Sequence, residues 1–503
     1  MVVLATIEGP AVIRRMLMHL GLSLYEGDPL PRFAGCHDRG ILVLDSAHVV
    51  RPVAPSGDRQ MNRERTLGSL ATLAILSLLV GVAAGFVGAS FRLSLDGADR
   101  LRDTLLIRAH RGQLAGLMLA IAAGAAATAA AAWMVRAWAP HAGGSGIPHV
   151  EAVLSGQVPQ APYRLIPVKF LGGLLSIGAG LALGREGPSV QMGASIAHLL
   201  GRVFRCDEDD CKALLAAGAA AGLATAFNAP IAGAVFVLEE LVRRFDTRIT
   251  IATFGASAGA IAVARVLLGN GPDFHVTPLS FPGPGTVPIY LMLGLLAGML
   301  GVAYNRTLLG TLATADRLER WPGEVRAALI GASVAALAWF APGLVGGGDA
   351  ITQRTLAGTD GVATIAGVFV LRFGLGAVSY AAGTPGGLFA PMLVLGAQCG
   401  LLFGTLCTRW LPAIAPNPIE LGVVSMAAFF TAVARAPLTG IILVTEMTGS
   451  FTLLPMLLAC FGAMTVPTLA RDAPIYDSLR ERTLRTEKRA RLLDDRAAMT
   501  GKR

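Results

Sequence analysis

The chain is dominated by long runs without a single charged side chain. Six of them span residues 66–91, 112–135, 213–238, 327–348, 373–408 and 447–470. A helix needs about 20 predominantly apolar residues to cross the hydrocarbon core. In lipid every backbone N–H and C=O must be satisfied within the segment, which favours helices over open strands. Six such runs in one chain predict an all-α, polytopic membrane protein whose first partner is the lipid bilayer. Composition agrees: 53% of the 503 residues are hydrophobic and 15% charged, where soluble domains carry about 25% charged residues. These figures argue against a soluble enzyme and exclude a disordered chain or a disulfide-framed module. The apolar start at residues 2–7 is too short for the core of a signal peptide.

The six cysteines offer no framework. Cys206 and Cys211 bracket four acidic residues, but zinc spacing requires a histidine or a second cysteine pair nearby. This segment reads as a solvated acidic loop, with no metal or cofactor expected.

A net charge of +9 could suggest nucleic acid, yet residues 471–503 alone hold ten basic against six acidic residues. A short basic tail after a hydrophobic region marks the cytoplasmic side of a membrane, so no nucleic-acid partner is expected. The resulting organisation is an N-terminal segment at 1–65, read either as a soluble cytoplasmic segment or as a translated upstream extension, a membrane region at 66–470 and a basic cytoplasmic tail at 471–503 that contains Tyr476. Both termini are expected in the cytoplasm and the protein in a cell inner membrane.

The membrane region repeats itself. Gly184, Gly193 and Gly201 recur as Gly387, Gly396 and Gly404, and Pro188 recurs as Pro391, at an offset of 203. Ala229-Pro230, Gly233 and Glu239 recur as Ala436-Pro437, Gly440 and Glu446, at an offset of 207. Two units result, about 66–268 and 285–470. Duplicated units are common in transporters, where discontinuous helices meet at a site near the midplane. The 36-residue run 373–408 contains Gly383-Thr-Pro-Gly-Gly387 and Pro391, and so reads as two partial helices.

Three motifs stand at such breaks: Gly144-Ser145-Gly146-Ile147-Pro148, Gly184-Arg185-Glu186-Gly187-Pro188 and Gly387-Leu388-Phe389-Ala390-Pro391. Each ends in proline ahead of an apolar run, and proline is favoured in the first helical turn. Three helix N-termini with free amides and positive dipole ends would attract an anion without a buried cation to trap it.

In order and spacing these motifs resemble those of the CLC family of chloride channels and proton-coupled chloride transporters, over roughly residues 66–480. Leu388 stands where relatives often carry isoleucine, at a position whose backbone amide is used. The resemblance implies two inverted repeats of broken and tilted helices, a homodimer, and chloride and protons as the transported ions. It makes Ser145 and Tyr476 hydroxyl donors to a central anion, with Leu388 and Phe389 supplying backbone N–H groups. Serine at position 145 is similar to the chloride-preferring version of the motif.

Glu186 is the residue on which the functional reading turns. A carboxylate at a helix N-terminus is a tethered anion, able to occupy an anion site when ionised and to leave it when protonated. Glu239 and Glu240 close the run 213–238, and intramembrane carboxylates are functional by default. The resemblance places the inner proton acceptor at Glu240 and leaves Glu239 and Glu446 as supporting groups. Lys169, one of four lysines beside 38 arginines, reads either as a lysine snorkelling to the interface or as a conduction-path charge that raises the local anion concentration, and the resemblance favours the second. Arg185 is expected to act on the field at the outer mouth, as is Glu151 by fixing a neighbouring cation. His149 receives no role.

The function implied is exchange of chloride for protons, with a passive chloride channel as the alternative. An intramembrane serine hydrolase is a remote third: Gly143-Gly-Ser145-Gly146 and Gly255-Ala-Ser257-Ala-Gly259 fit nucleophile patterns, without the base such a serine needs.

Overall fold

The computed structural model describes residues 56–276, 283–318 and 320–499. Residues 1–55 of the expected N-terminal segment and the last four of the tail lie outside the described residues. The chain divides into Met1–Ala71 and Thr72–Arg503. The described part of the first unit is the start of one helix, and the second unit holds the other helices and the candidate site residues.

Seventeen α-helices and no strand occur among the described residues. The first eight are α1 (Ser56–His110), α2 (Gln113–Trp138), α3 (Ile147–Leu154), α4 (Leu165–Gly178), α5 (Glu186–Val203), α6 (Glu208–Phe227), α7 (Pro230–Phe236) and α8 (Thr247–Leu268). The next eight are α9 (Val287–Arg317), α10 (Gly323–Phe340), α11 (Asp349–Leu356), α12 (Val362–Tyr380), α13 (Phe389–Trp410), α14 (Pro418–Ala434), α15 (Pro437–Thr448) and α16 (Leu453–Leu469). The last helix is α17 (Ile475–Met499). Eight helices among the described residues are long and apolar enough to span a bilayer.

The second set of eight replays the first. The short helices α3 and α11 each have eight residues and start after a left-handed glycine, Gly146 at φ 87° and Gly348 at φ 110°. Asn228 and Arg435 are the left-handed residues that end α6 and α14, and a proline opens the next helix within two residues. A non-glycine residue at positive φ is uncommon, so its recurrence at the same place reflects a shared backbone plan. Contacts between the halves are reciprocal. Gly184 N donates to Gly387 O at 2.9 Å and Gly387 N to Gly184 O at 2.7 Å. Such exchange is what a twofold relation between halves produces, as in inverted-repeat transporters.

Tight packing comes from small residues. A side chain at Gly193 would overlap the backbone of Gly218, and one at Gly400 that of Leu421, so α5 meets α6, and α13 meets α14, backbone against backbone.

Several charge-free runs are not single helices. Run 213–238 breaks at Asn228 and Pro230, because the left-handed residue ends α6 and proline cannot continue it. Run 327–348 leaves the helix at Phe340, before Pro342, and run 447–470 breaks after Thr448 at left-handed Gly449. Run 373–408 breaks between Tyr380 and Phe389, as its glycines and proline predict. The C-terminal tail also differs from a surface segment at its start: Ile475, Tyr476 and Leu479 of α17 are buried in the core. The Ser257 pattern lies in the middle of α8, where a strained nucleophile turn does not exist. Its glycines serve packing instead, Gly255 and Gly259 lying against α1.

Candidate functional site

The three motif loops are tied to one another. Gly144 N donates to Thr384 O, and Gly386 N to Gly144 O, both at 3.1 Å. With the Gly184–Gly387 pair these bonds hold the starts of α3, α5 and α13 together. Gly146 precedes α3, Glu186 is the first residue of α5 and Phe389 the first of α13. Pro148, Pro188 and Pro391 fall in the first turns, where a missing N–H costs nothing. Ile147, Gly187, Leu388 and Ala390 are buried among them.

Glu186 is fully buried, and its Oε1 accepts a hydrogen bond from the backbone N–H of Phe389 at 2.6 Å. A carboxylate from one broken helix thus sits on the N-terminus of another, where amide and dipole favour an anion. The glycines around it leave it room: a Cβ at Gly184 or Gly387 would overlap the carboxylate in this position. A Cβ at Gly187 would lie 2.5 Å from Ser145 Oγ, so Ser145 packs against the first turn of α5.

Two hydroxyls converge with this carboxylate. Ser145 and Tyr476 are buried, and Ser145 Oγ, Tyr476 Oη and Glu186 Oε2 have no hydrogen-bond partner among the described residues. An unpaired buried hydroxyl is costly. Two of them in the neighbourhood of the Phe389 amide leave hydrogen-bonding capacity unused. The ring of Phe389 lies 6.2 Å from Tyr476, 5.4 Å from Phe236 and 4.4 Å from Phe430, centre to centre. Tyr380, which no motif singled out, accepts a bond from Ser145 N at 3.2 Å and so fixes the first loop.

Lys169 is fully buried on α4, and its Nζ donates to Ala142 O at 2.9 Å and Gly144 O at 2.8 Å. Arg372, 203 residues later on α12, does the same for the second half, donating to Gly346 O at 2.8 Å and Gly347 O at 3.0 Å. The two cations are therefore repeat equivalents that each gather the carbonyls of the loop before a short helix. For Lys169 this geometry favours loop support over the free field charge expected from sequence.

The site has two charged ends. At one, Arg185 bonds Asp349 at 2.8 Å, lies 3.6 Å from Asp273 and donates to Ala226 O. At the other, Glu240 is buried, 3.7 Å from Arg243. Glu151 belongs to this second end and not to Arg185's: its Oε1 lies 2.5 Å from Arg480 and 3.3 Å from Arg243. Sequence separation hid those partners, which stand 329 and 92 positions away. Glu239 points elsewhere, accepting from Leu438 N and Thr439 N at the start of α15. Glu446 accepts in return from Ile231 N and Ala232 N at the start of α7. Each glutamate caps the other half's helix. His149 is buried 4.8 Å from the His141 ring, centre to centre.

A family model described as voltage gated chloride channel matches residues 127–468. The H(+)/Cl(-) exchange transporter ClcA of Vibrio parahaemolyticus serotype O3:K6 is 36% identical over 424 residues, covering 82% of this chain and 90% of the relative. The transporter of the same name from Yersinia pseudotuberculosis serotype IB is 34% identical over 461 residues, covering 88% and 96%. Among solved structures, a slow cyanobacterial Cl-/H+ antiporter superposes with a TM-score of 0.80 at 31% identity, over 83% of this chain and 99% of that one. A eukaryotic CLC transporter superposes with a TM-score of 0.70 at 25% identity, over 82% and 74%.

Proposed function

Since the chain belongs to the voltage-gated chloride channel, or CLC, family, we propose that it is a secondary active transporter exchanging chloride for protons, and not an enzyme. The observation that carries this reading is the Glu186 carboxylate on the Phe389 amide. One set of donors then serves two anions in turn. Ionised, Glu186 fills the site. Protonated, it loses the charge the amide and dipole favour, leaves, and a chloride ion is held by Phe389 N–H, the neighbouring Leu388 amide and the hydroxyls of Ser145 and Tyr476. Partial charges and hydroxyls bind it weakly enough for release. Glu240 supplies protons from the other end.

The relatives named as exchangers support the coupled mode over a passive channel. We place Glu240 toward the cytoplasm and Arg185 toward the outside of a cell inner membrane, with both termini cytoplasmic and two copies forming a homodimer.

Chloride titration of the purified protein by calorimetry tests the shared site. Because ionised Glu186 competes with chloride, affinity should weaken as pH rises, by at most about tenfold per unit for one linked proton. In Glu186→Gln the dependence should vanish. An equal slope in both proteins would refute competition.

A further inference from the structure

A cavity of about 380 Å³ opens beside Glu240, with Glu239, Glu240, Arg243, Arg435 and Asp477 in its wall. Three of these charges, Glu240, Arg243 and Asp477, are linked with Glu151 and Arg480. Arg243 Nη2 lies 2.8 Å from Asp477 Oδ1, 3.3 Å from Glu151 Oε1 and 3.7 Å from Glu240 Oε1. Arg480 bridges the first two carboxylates, 3.0 Å from Asp477 Oδ1 and 2.5 Å from Glu151 Oε1. Two guanidinium groups thus face three carboxylates, and the set is neutral when one carboxyl carries a proton. Glu240 is where that proton fits, because its one guanidinium contact is the long one, 3.7 Å to Arg243, whereas Glu151 and Asp477 each have a guanidinium nitrogen within 3.0 Å.

Arg243 owes its position to two constraints. Its backbone is left-handed, at φ 57°, just past the π-helical turn Val237–Leu241, and its Nε donates to Glu240 O at 3.1 Å. Asp477 then draws the far end of the side chain away from the Glu240 carboxylate. Two further charges line the cavity: Glu239 caps α15, and Arg435 bonds Asp472 O at 3.0 Å through Nη2, while its Nη1 has no hydrogen-bond partner among the described residues. Asp477 is next to Tyr476 in the chain, so one turn of α17 carries both an anion-site hydroxyl and the residue that restrains Arg243.

We propose that Asp477, backed by Arg480, is a positioning residue for proton entry, holding Arg243 near enough to Glu240 to stabilise its carboxylate but too far to bond it. Glu240 thereby keeps lone pairs open to a proton delivered by water in the cavity. The inference rests on the reading of Glu240 as the inner proton acceptor.

The two ends of this contact respond oppositely when changed. In Asp477→Asn, Arg243 loses its nearest carboxylate and closes on Glu240, which then takes a proton only at lower pH. In Arg243→Gln the restraining cation is gone, and Glu240 takes a proton at higher pH. The experiment is proton-coupled current in planar bilayers, titrating pH on the Glu240 side with the other side fixed. Half-maximal proton concentration should rise about tenfold in Asp477→Asn and fall about tenfold in Arg243→Gln, the effect of moving one charge beside a carboxyl. Arg243→Lys keeps the charge and should stay close to the unaltered protein. Midpoints that do not move, or that move in the same direction, overturn the inference. The Arg243 side chain is 43% exposed, so Arg243→Gln decides alone if Asp477→Asn does not assemble. Glu240→Gln runs in parallel. Loss of its proton flux beside unmoved midpoints counts against Asp477 only, whereas retained proton flux removes Glu240, and this inference with it.

Discussion

Glu186→Ala is expected to transport chloride without moving protons. The alanine leaves the Phe389 amide permanently open to chloride, and no group remains to carry a proton through the anion site. In reconstituted vesicles the proton flux should fall to the leak of protein-free controls, with chloride efflux continuing and losing its dependence on pH. The direction of that dependence in the unaltered protein comes from the competition. Acid protonates the carboxyl and frees the site, so transport should rise as pH falls. Chloride efflux in Glu186→Ala that still climbed steeply with acid would show that another group gates the pathway.

Glu240→Gln should give the complementary loss. The amide keeps the size of the side chain and its place between Arg243 and the core but holds no exchangeable acidic proton. Proton flux should again fall to the leak, this time with Glu186 intact and chloride still bound at the central site. The two variants differ in pH response: Glu240→Gln should retain acid-dependent chloride transport and Glu186→Ala should not. If Glu240→Gln pumped protons as the unaltered protein does, the inner proton path would have to start elsewhere, with Glu151, the other buried carboxyl that shares Arg243, the next to test.

The framework of loops and helix starts around Glu186 is legible in the sequence, because its parts are turn residues. Gly-x-Gly-x-Pro and Gly-Arg-Glu-Gly-Pro describe backbone that must turn, approach closely and open a helix, and the structure puts Ile147, Glu186 and Phe389 at such starts. The repeat offset is legible too: adding 203 to Lys169 gives Arg372, its counterpart in gathering loop carbonyls.

Other features had no local signal. Arg243, Asp477 and Arg480 meet only because α17 returns to α3 and the end of the π turn. No window of sequence contains them all. Tyr380 acts through one hydroxyl at a backbone amide, which leaves no pattern. Hydrophobicity alone does not give helix ends, since Asn228, Pro342 and Gly449 interrupt runs that carry no charge. Apolar content says that a segment can enter the membrane, whereas turn residues decide where its helix stops.

The central claim, that one carboxylate links chloride to protons, is tested most directly by the unaltered protein in sealed vesicles loaded with chloride, diluted into low chloride at equal pH on both sides. As chloride leaves, protons should be driven into the vesicles against the gradient they build, so that the external medium turns alkaline until the chloride gradient is spent. Chloride efflux with no proton movement beyond the protein-free control would contradict the claim and make the protein a passive chloride pathway.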